Sequence, residues 1–185
     1  ALGDAQSGDT ITFDASLDGQ TIVLTDRLNV YTDVTIDGDN QITISGDNQF
    51  RVFQIGATIS ATLKGLTISN GSSTLSGGGI SMVSGSSLRV SHSTISNNTA
   101  RDGGGIYNNQ GTLTVEHSTI TGNSTATREG GGVYNANGTT TINNSTIAGN
   151  TSVDRGGGIY NNGGSLIINN TTIANNTGIA DNGGG

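Results

Sequence analysis

Cysteine, proline and tryptophan are all absent from this 185-residue chain. Without cysteine there is no disulfide framework and no thiolate metal site. Aromatics are few, four tyrosines and three phenylalanines, and charged side chains make up 11% of the residues, against roughly a quarter in an ordinary globular protein. A solvated disordered chain normally carries more charge and often proline, so disorder fits poorly. Long aliphatics are too sparse for one thick core, which points to a periodic structure with a thin one. Only seven Lys and Arg are present, well scattered, against 14 acids, nine of them between Asp4 and Asp47. Nucleic-acid binding needs clustered cations and is set aside. No run of 18 apolar residues exists, so no segment reads as membrane-spanning.

What fills the gap is Gly, Asn, Ser and Thr, and they recur in phase. The phrase GGGIYNN stands at Gly103–Asn109 and again at Gly156–Asn162, with GGGVYN at Gly130 and GGGI at Gly77. The triplets start at Gly77, Gly103, Gly130, Gly156 and Gly183, in steps of 26, 27, 26 and 27 residues. A period of this size signals a solenoid. Each unit holds three short β-prone runs split by Gly, Asn or Ser, and no helical stripe, so one unit is one coil of three strands.

Aligning the units yields columns. Ile80, Ile106, Val133 and Ile159 form one; Leu63, Val90, Val115, Ile142 and Ile168 a second; Ile68, Ile95, Ile120, Ile147 and Ile173 a third. Like residues stack on like because a single coil cannot bury its own inner face. In the recurring Ser-Thr-Ile, alternation places Ser and Ile inward and Thr67, Thr94, Thr119, Thr146 and Thr172 outward. The expected fold is therefore an all-β parallel β-helix, with regular rungs over residues 77–185 and looser rungs over 1–76 in one continuous solenoid. Seven to eight rungs give a rod of roughly 35 Å.

Three residues after each isoleucine of the third column comes Asn98, Asn123, Asn150 or Asn176, and Asp39 holds the like place after Ile36. This column reads as a structural ladder of stacked amides at a corner, where Asn also tolerates left-handed backbone. Gly77, Gly103, Gly130 and Gly156 mark the next corner. No GK[ST] follows the triplets, and a phosphate site is needed once whereas a corner is needed at every rung.

The paired motifs GGG[IV] and Ile-x-x-Asn resemble the GGAI and FxxN repeats of the polymorphic outer-membrane proteins and their bacterial relatives. The opening ALGDAQSGDTITFD is similar to the segment that follows a Cys-Ser-Leu-Arg-Glu-Ala motif in large secreted bacterial surface proteins, with Ala1 as its last trace. The resemblance implies a right-handed β-helix, displayed or secreted as an adhesin or structural surface layer. Ile in place of Phe, the missing cysteines and the absence of a following barrel depart from the family pattern.

Several chemistries are weighed against this. Polysaccharide-cleaving β-helices gather two or three carboxylates; the candidates are Asp33, Asp37 and Asp39, or Asp102, Glu129 and Asp154 beside Arg101, Arg128 and Arg155. The first group reads as turn residues and the second as surface charge pairing. Tyr107, Tyr134 and Tyr160 fall in one outward column, which offers ring edges rather than platforms to a sugar. His92 and His117, one rung apart with Glu116 adjacent, have the spacing of a two-imidazole metal site; Gly65, Asn144 and Asn170 continue their column, which a left-handed corner explains. Calcium-binding nonapeptides are absent, and an ice-binding Thr array is interrupted at Arg89 and Ile167. N-x-[ST] sequons, Asn97, Asn137 and Asn169 among them, arise from composition. The expectation is a noncatalytic extracellular scaffold, adhesin stalk or filament subunit without metal or cofactor, the alternative being a polysaccharide lyase or hydrolase. Its partners would be further rungs of a longer parent chain, preferred over head-to-tail docking of copies, and cell-surface glycans. The chain begins at Ala1 without Met and ends on an incomplete unit, as a processed or partial chain would.

Overall fold

In the regular rungs, strand-forming runs of two to five residues are separated by residues with left-handed backbone, and the chain satisfies its backbone by pairing rung to rung. The computed structural model describes residues 2–180; Ala1, Asp181 and the triplet at Gly183 lie outside the described residues. It is a parallel β-solenoid of seven turns, and every pairing between strands is parallel.

A regular rung is represented by residues 106–125. Ile106–Asn109, Thr112–Glu116 and Thr119–Thr121 form its three main strands, and Ser124–Thr125 adds a two-residue fourth. The fourth strand recurs at Thr99–Ala100, Thr151–Ser152 and Thr177–Gly178, making a narrow sheet of its own in the regular region. In the earlier rungs the second and third strands run on without a break, as Val34–Ser45 and Ser60–Ser69, with a register irregularity between Asp37 and Ile42.

Pairing joins Ile68, Ile95, Ile120, Ile147 and Ile173 in register, and extends that column backwards through Ile44 to Ile22. The second column likewise reaches Ile36 and Ile11. Phe53 and Leu28 continue the Ile80 column. From Ile36 to Ile147 the inward residues of these columns are almost wholly excluded from water, and side chains of like size nest along the axis at the strand spacing of about 4.8 Å.

Three glycines in a row are required for three separate reasons. Gly103 has φ +58, a region that a side chain disfavours. A Cβ on Gly104 would lie 2.3 Å from the Ser124 carbonyl oxygen, and one on Gly105 would lie 2.5 Å from that of Gly132 and 3.1 Å from the Asn123 carboxamide. The first glycine turns the chain; the second and third let neighbouring backbones and the asparagine ladder approach. Counting two residues back from the Phe53–Ile80 pair places Arg51 in the register of the middle glycine. Its buried guanidinium donates to the carbonyls of Ser76 and Gly77, in the strand-free stretch one rung on.

Candidate functional site

The Ile-x-x-Asn motif closes into a continuous hydrogen-bonded file. Asn98 Nδ2 donates to Asn123 Oδ1 at 2.9 Å, Asn123 to Asn150 at 2.9 Å, and Asn150 to Asn176 at 3.0 Å. The second Nδ2 hydrogen of each goes to a carbonyl of the preceding rung: Ile68, Ile95, Ile120 and Ile147 for Asn98, Asn123, Asn150 and Asn176. Each Oδ1 also takes a backbone N–H, that of Gly71, Asn98, Asn123 and Asn150 respectively. A carboxamide has two donors and two acceptor positions. In Asn123 and Asn150 all four are used, and both are wholly buried.

Two details differ from the sequence reading. The left-handed residue of this corner is the one before the ladder, at Asn70, Asn97, Gly122, Gly149 and Asn175, with φ between 50° and 65°. The ladder asparagines therefore serve through their amides and not through unusual backbone. Asp39 lies outside the file: Ile36 pairs with Leu63 of the second column, so Asp39, with φ 48°, falls at the corner that Gly65 and His92 occupy in later rungs. The third-column residue of that rung is Ile44, which pairs with Ile68.

A second ladder was missed. Asn108 Nδ2 donates to Asn135 Oδ1 at 2.9 Å, and Asn135 Nδ2 to Asn161 Oδ1 at 2.7 Å. Asn108 also clamps its own corner, accepting from Gly111 N–H at 3.0 Å and donating to the Gly111 carbonyl. Thr140, at a position filled by Leu88 and Leu113 in earlier rungs, is tolerated there because its hydroxyl donates to Asn135 Oδ1 at 3.0 Å. The signal was present: alternation from the inward Ile106 puts Tyr107 out and Asn108 in. Serine makes a third file. Ser118 Oγ donates to the Glu116 carbonyl at 2.7 Å and accepts the Ser93 N–H at 3.1 Å, and Ser145 repeats this one rung on.

Outward residues also stack. The His92 and His117 rings lie 5.0 Å apart and within 8° of parallel, at φ 50° and 47°, on the corner that Asn144 and Asn170 continue. No group of three metal-ligating side chains gathers there or elsewhere among the described residues. Tyr107, Tyr134 and Tyr160 follow one another at 5.2 Å with rings tilted by 38° and 56°. Burial raises the pKa of Tyr107 and Tyr134, and Asn162 Nδ2 donates to the Tyr134 hydroxyl.

Of the carboxylates, Asp33 accepts the Ser60 N–H at 2.7 Å. Asp37 pairs with Lys64 at 2.6 Å and accepts the Asp39 N–H; Lys64, foremost, holds its pKa below the ordinary value. It lines a cavity of about 270 Å³ with Asp18 and Asp39. A carboxyl held ionised in this way is poorly suited to donating a proton. Asp102 is buried, paired with Arg101 at 2.9 Å and accepting from Ser76. Asp154 faces Arg155 at 3.8 Å. Asp102 and Asp154 thus meet cations of their own rungs, and Asp33 and Asp37 a backbone donor and a lysine one rung on.

Residues 92–109 match the Chlamydia polymorphic membrane protein repeat. The matched stretch runs from the His92 corner through Asn98 and the Gly103 triplet to Asn109, so it contains one member of each ladder, Asn98 and Asn108, and one glycine corner. No curated protein and no solved structure matches the chain. The chain is a β-helix repeat protein resembling the polymorphic membrane proteins.

Proposed function

We propose that the chain is a noncatalytic scaffold presented on a bacterial surface, a rigid rod that spaces or displays adhesive contacts. One observation carries the reading: the repeated polar residues hydrogen-bond to the same residues of adjacent rungs. Asn98, Asn123 and Asn150, Asn108 and Asn135, and Ser93, Ser118 and Ser145 spend their donors and acceptors inside the solenoid. A repeat unit built this way adds length and stiffness with each copy. The match of residues 92–109 to a repeat of bacterial membrane proteins supports surface display. The outward Thr column, on the third strand of each rung, supplies a polar, regular face for contact with glycans, with further rungs or with other copies of the chain.

Incubation with acidic and neutral polysaccharides tests the reading. The scaffold releases no reducing or unsaturated ends. Release that disappears in Asp37→Asn or Asp39→Asn would overturn it in favour of a polysaccharide-active enzyme.

A further inference from the structure

The chain has twice as many acids as bases, so a cation left without a carboxylate is conspicuous. Lys64, Arg89, Arg101 and Arg155 each pair with an acid, Asp37, Glu116, Asp102 and Asp154 respectively. Among the described residues Arg27, Arg51 and Arg128 have no carboxylate within ion-pair distance. Two of these three line the same cavity, of about 300 Å³, on the side where the early rungs lack the fourth strand.

Arg51 is 8% exposed. Its Nε donates to Gly77 O at 2.8 Å, its Nη2 to Ser76 O at 2.7 Å and Ser73 Oγ at 3.1 Å, and its Nη1 to Gln54 Oε1. A guanidinium has five N–H donors, so four are used on neutral acceptors and the positive charge itself is uncompensated. Arg27 stands close enough to repel it: burial first, and Arg27 second, lower the Arg51 pKa to about 10. Asp26 also borders the cavity, but its Oδ1 accepts the Arg27 backbone N–H at 2.7 Å. Burying a charge without a counter-charge is costly, and a second like charge raises the cost. An anion between the two guanidiniums would relieve both terms, with Ser72, Ser73 and Gln49 at hand as neutral donors.

We propose that the cavity lined by Arg27, Arg51, Gln49, Ser72 and Ser73 binds a compact oxyanionic group, a sulfate, phosphate or carboxylate, free or carried on a sugar. The exposed guanidinium of Arg27 suits two-point contact with such a group, whereas Arg51, with one N–H left over, contributes chiefly its charge. This site stands apart from the ladders and does not depend on the scaffold reading.

Titration calorimetry at constant ionic strength, with sodium sulfate, phosphate and acetate, then glucose 6-sulfate and glucuronate against glucose, tests the proposal. The wild type is expected to bind the anions with Kd of about 1 mM or tighter, to melt at higher temperature in their presence, and to ignore glucose. Arg27→Gln, on an exposed side chain, weakens binding at least tenfold; Asp26→Asn, which removes a like charge from the ligand's surroundings, strengthens it; Arg128→Gln leaves it unchanged. Tighter binding of the sugar anions than of the inorganic ions would place the group on an acidic glycan, and the reverse would place a free ion in the cavity. Failure of the wild type to bind any of the anions, Arg27→Gln binding as well as wild type, or glucose binding as tightly as glucuronate would overturn the proposal.

Discussion

The rungs before Gly77 and those after it solve the same geometric problem with different chemistry. After Gly77, corners are made from glycine triplets and two asparagine files, and adjacent rungs are near copies. Before it, long unbroken strands, Val34–Ser45 and Ser60–Ser69, carry two faces at once. Their corners are filled by single devices: Asp33 accepting from Ser60, Asp37 with Lys64, and Arg51 reaching the Gly77 carbonyl. The apolar columns cross from one region to the other without interruption, from Ile22 to Ile173. The comparison separates two roles. Stacked aliphatics set the rung spacing everywhere, whereas repeated polar ladders are what make rungs interchangeable. The early region, having no interchangeable rungs, has room for a site.

The largest expected effect ignores the comparison, because the column is common to both regions. Ile120→Asp buries an unpaired carboxylate in a dry column and should cost several kcal/mol or force the group to take up a proton. Thr119→Asp, one residue away and facing out, should move urea midpoints by no more than about 0.5 kcal/mol equivalent. Equal losses in the two variants would show that the inward and outward positions are wrongly assigned.

The next effect sets ladder logic against local packing. Gly71 stands one rung before Asn98 in the ladder position, and its N–H donates to Asn98 Oδ1. By pattern alone, Gly71→Asn would lengthen the file and stabilise the rod. A Cβ at Gly71 would lie 2.2 Å from the Gly78 carbonyl oxygen, so the substitution should instead cost about 1–3 kcal/mol through overpacking. A raised melting temperature would contradict this.

Removing one amide from the files comes third. Asn123→Leu leaves the Asn98 N–H and Nδ2 without their acceptor and the Ile95 carbonyl without its donor. Asn108→Leu likewise strands the Gly111 N–H. Each should cost about 1–3 kcal/mol in denaturant titrations, and a parent-like midpoint in either would remove that file from the account.

The smallest effect belongs to the early region. The folded-state pKa of Asp37 is lowered, chiefly by Lys64. Its contribution is therefore present above the ordinary carboxyl range and is lost as pH falls through the lowered folded value. Lys64 is half-exposed, so the pair is weak and screened. Lys64→Met should alter the melting temperature only slightly at neutral pH, and the difference from wild type should vanish at strongly acid pH or high salt. A difference that grew on acidification would reverse the assigned sign.

Much of this architecture could be read from letters alone, because a solenoid writes its three-dimensional contacts into a linear period. The aliphatic columns and the Asn98 file follow from a step that stays between 25 and 27 residues. What escaped reading did so for local reasons. Asn108 and Asn109 are the same letter, and only counting alternation from Ile106 tells which faces inward. Asp39 falls outside the file because Ile36, from which it is counted, belongs to the second column, and Ile44 is the third-column residue of that rung. The left-handed position is written as a mixture, Asn97, Gly122, Gly149 and Asn175, and the constant asparagine beside it carries the stronger pattern. Arg51 carries no motif at all. Its place beside Arg27 depends on loops from three rungs meeting, which no period encodes.

Hydrogen exchange read residue by residue tests most directly the claim that the repeated asparagines are internal fastenings and not surface features. The backbone N–H of Asn98, Asn123 and Asn150 and their carboxamide protons should exchange as slowly as the core strand amide of Ile120. In Asn123→Leu, exchange should quicken at the Asn98 N–H and carboxamide, which lose their acceptor. Asn150, which donates to Asn176 and Ile120, should remain protected, as should Thr43 and Ile44. Carboxamide protons exchanging at the rate of a free amide in the intact protein would contradict the account.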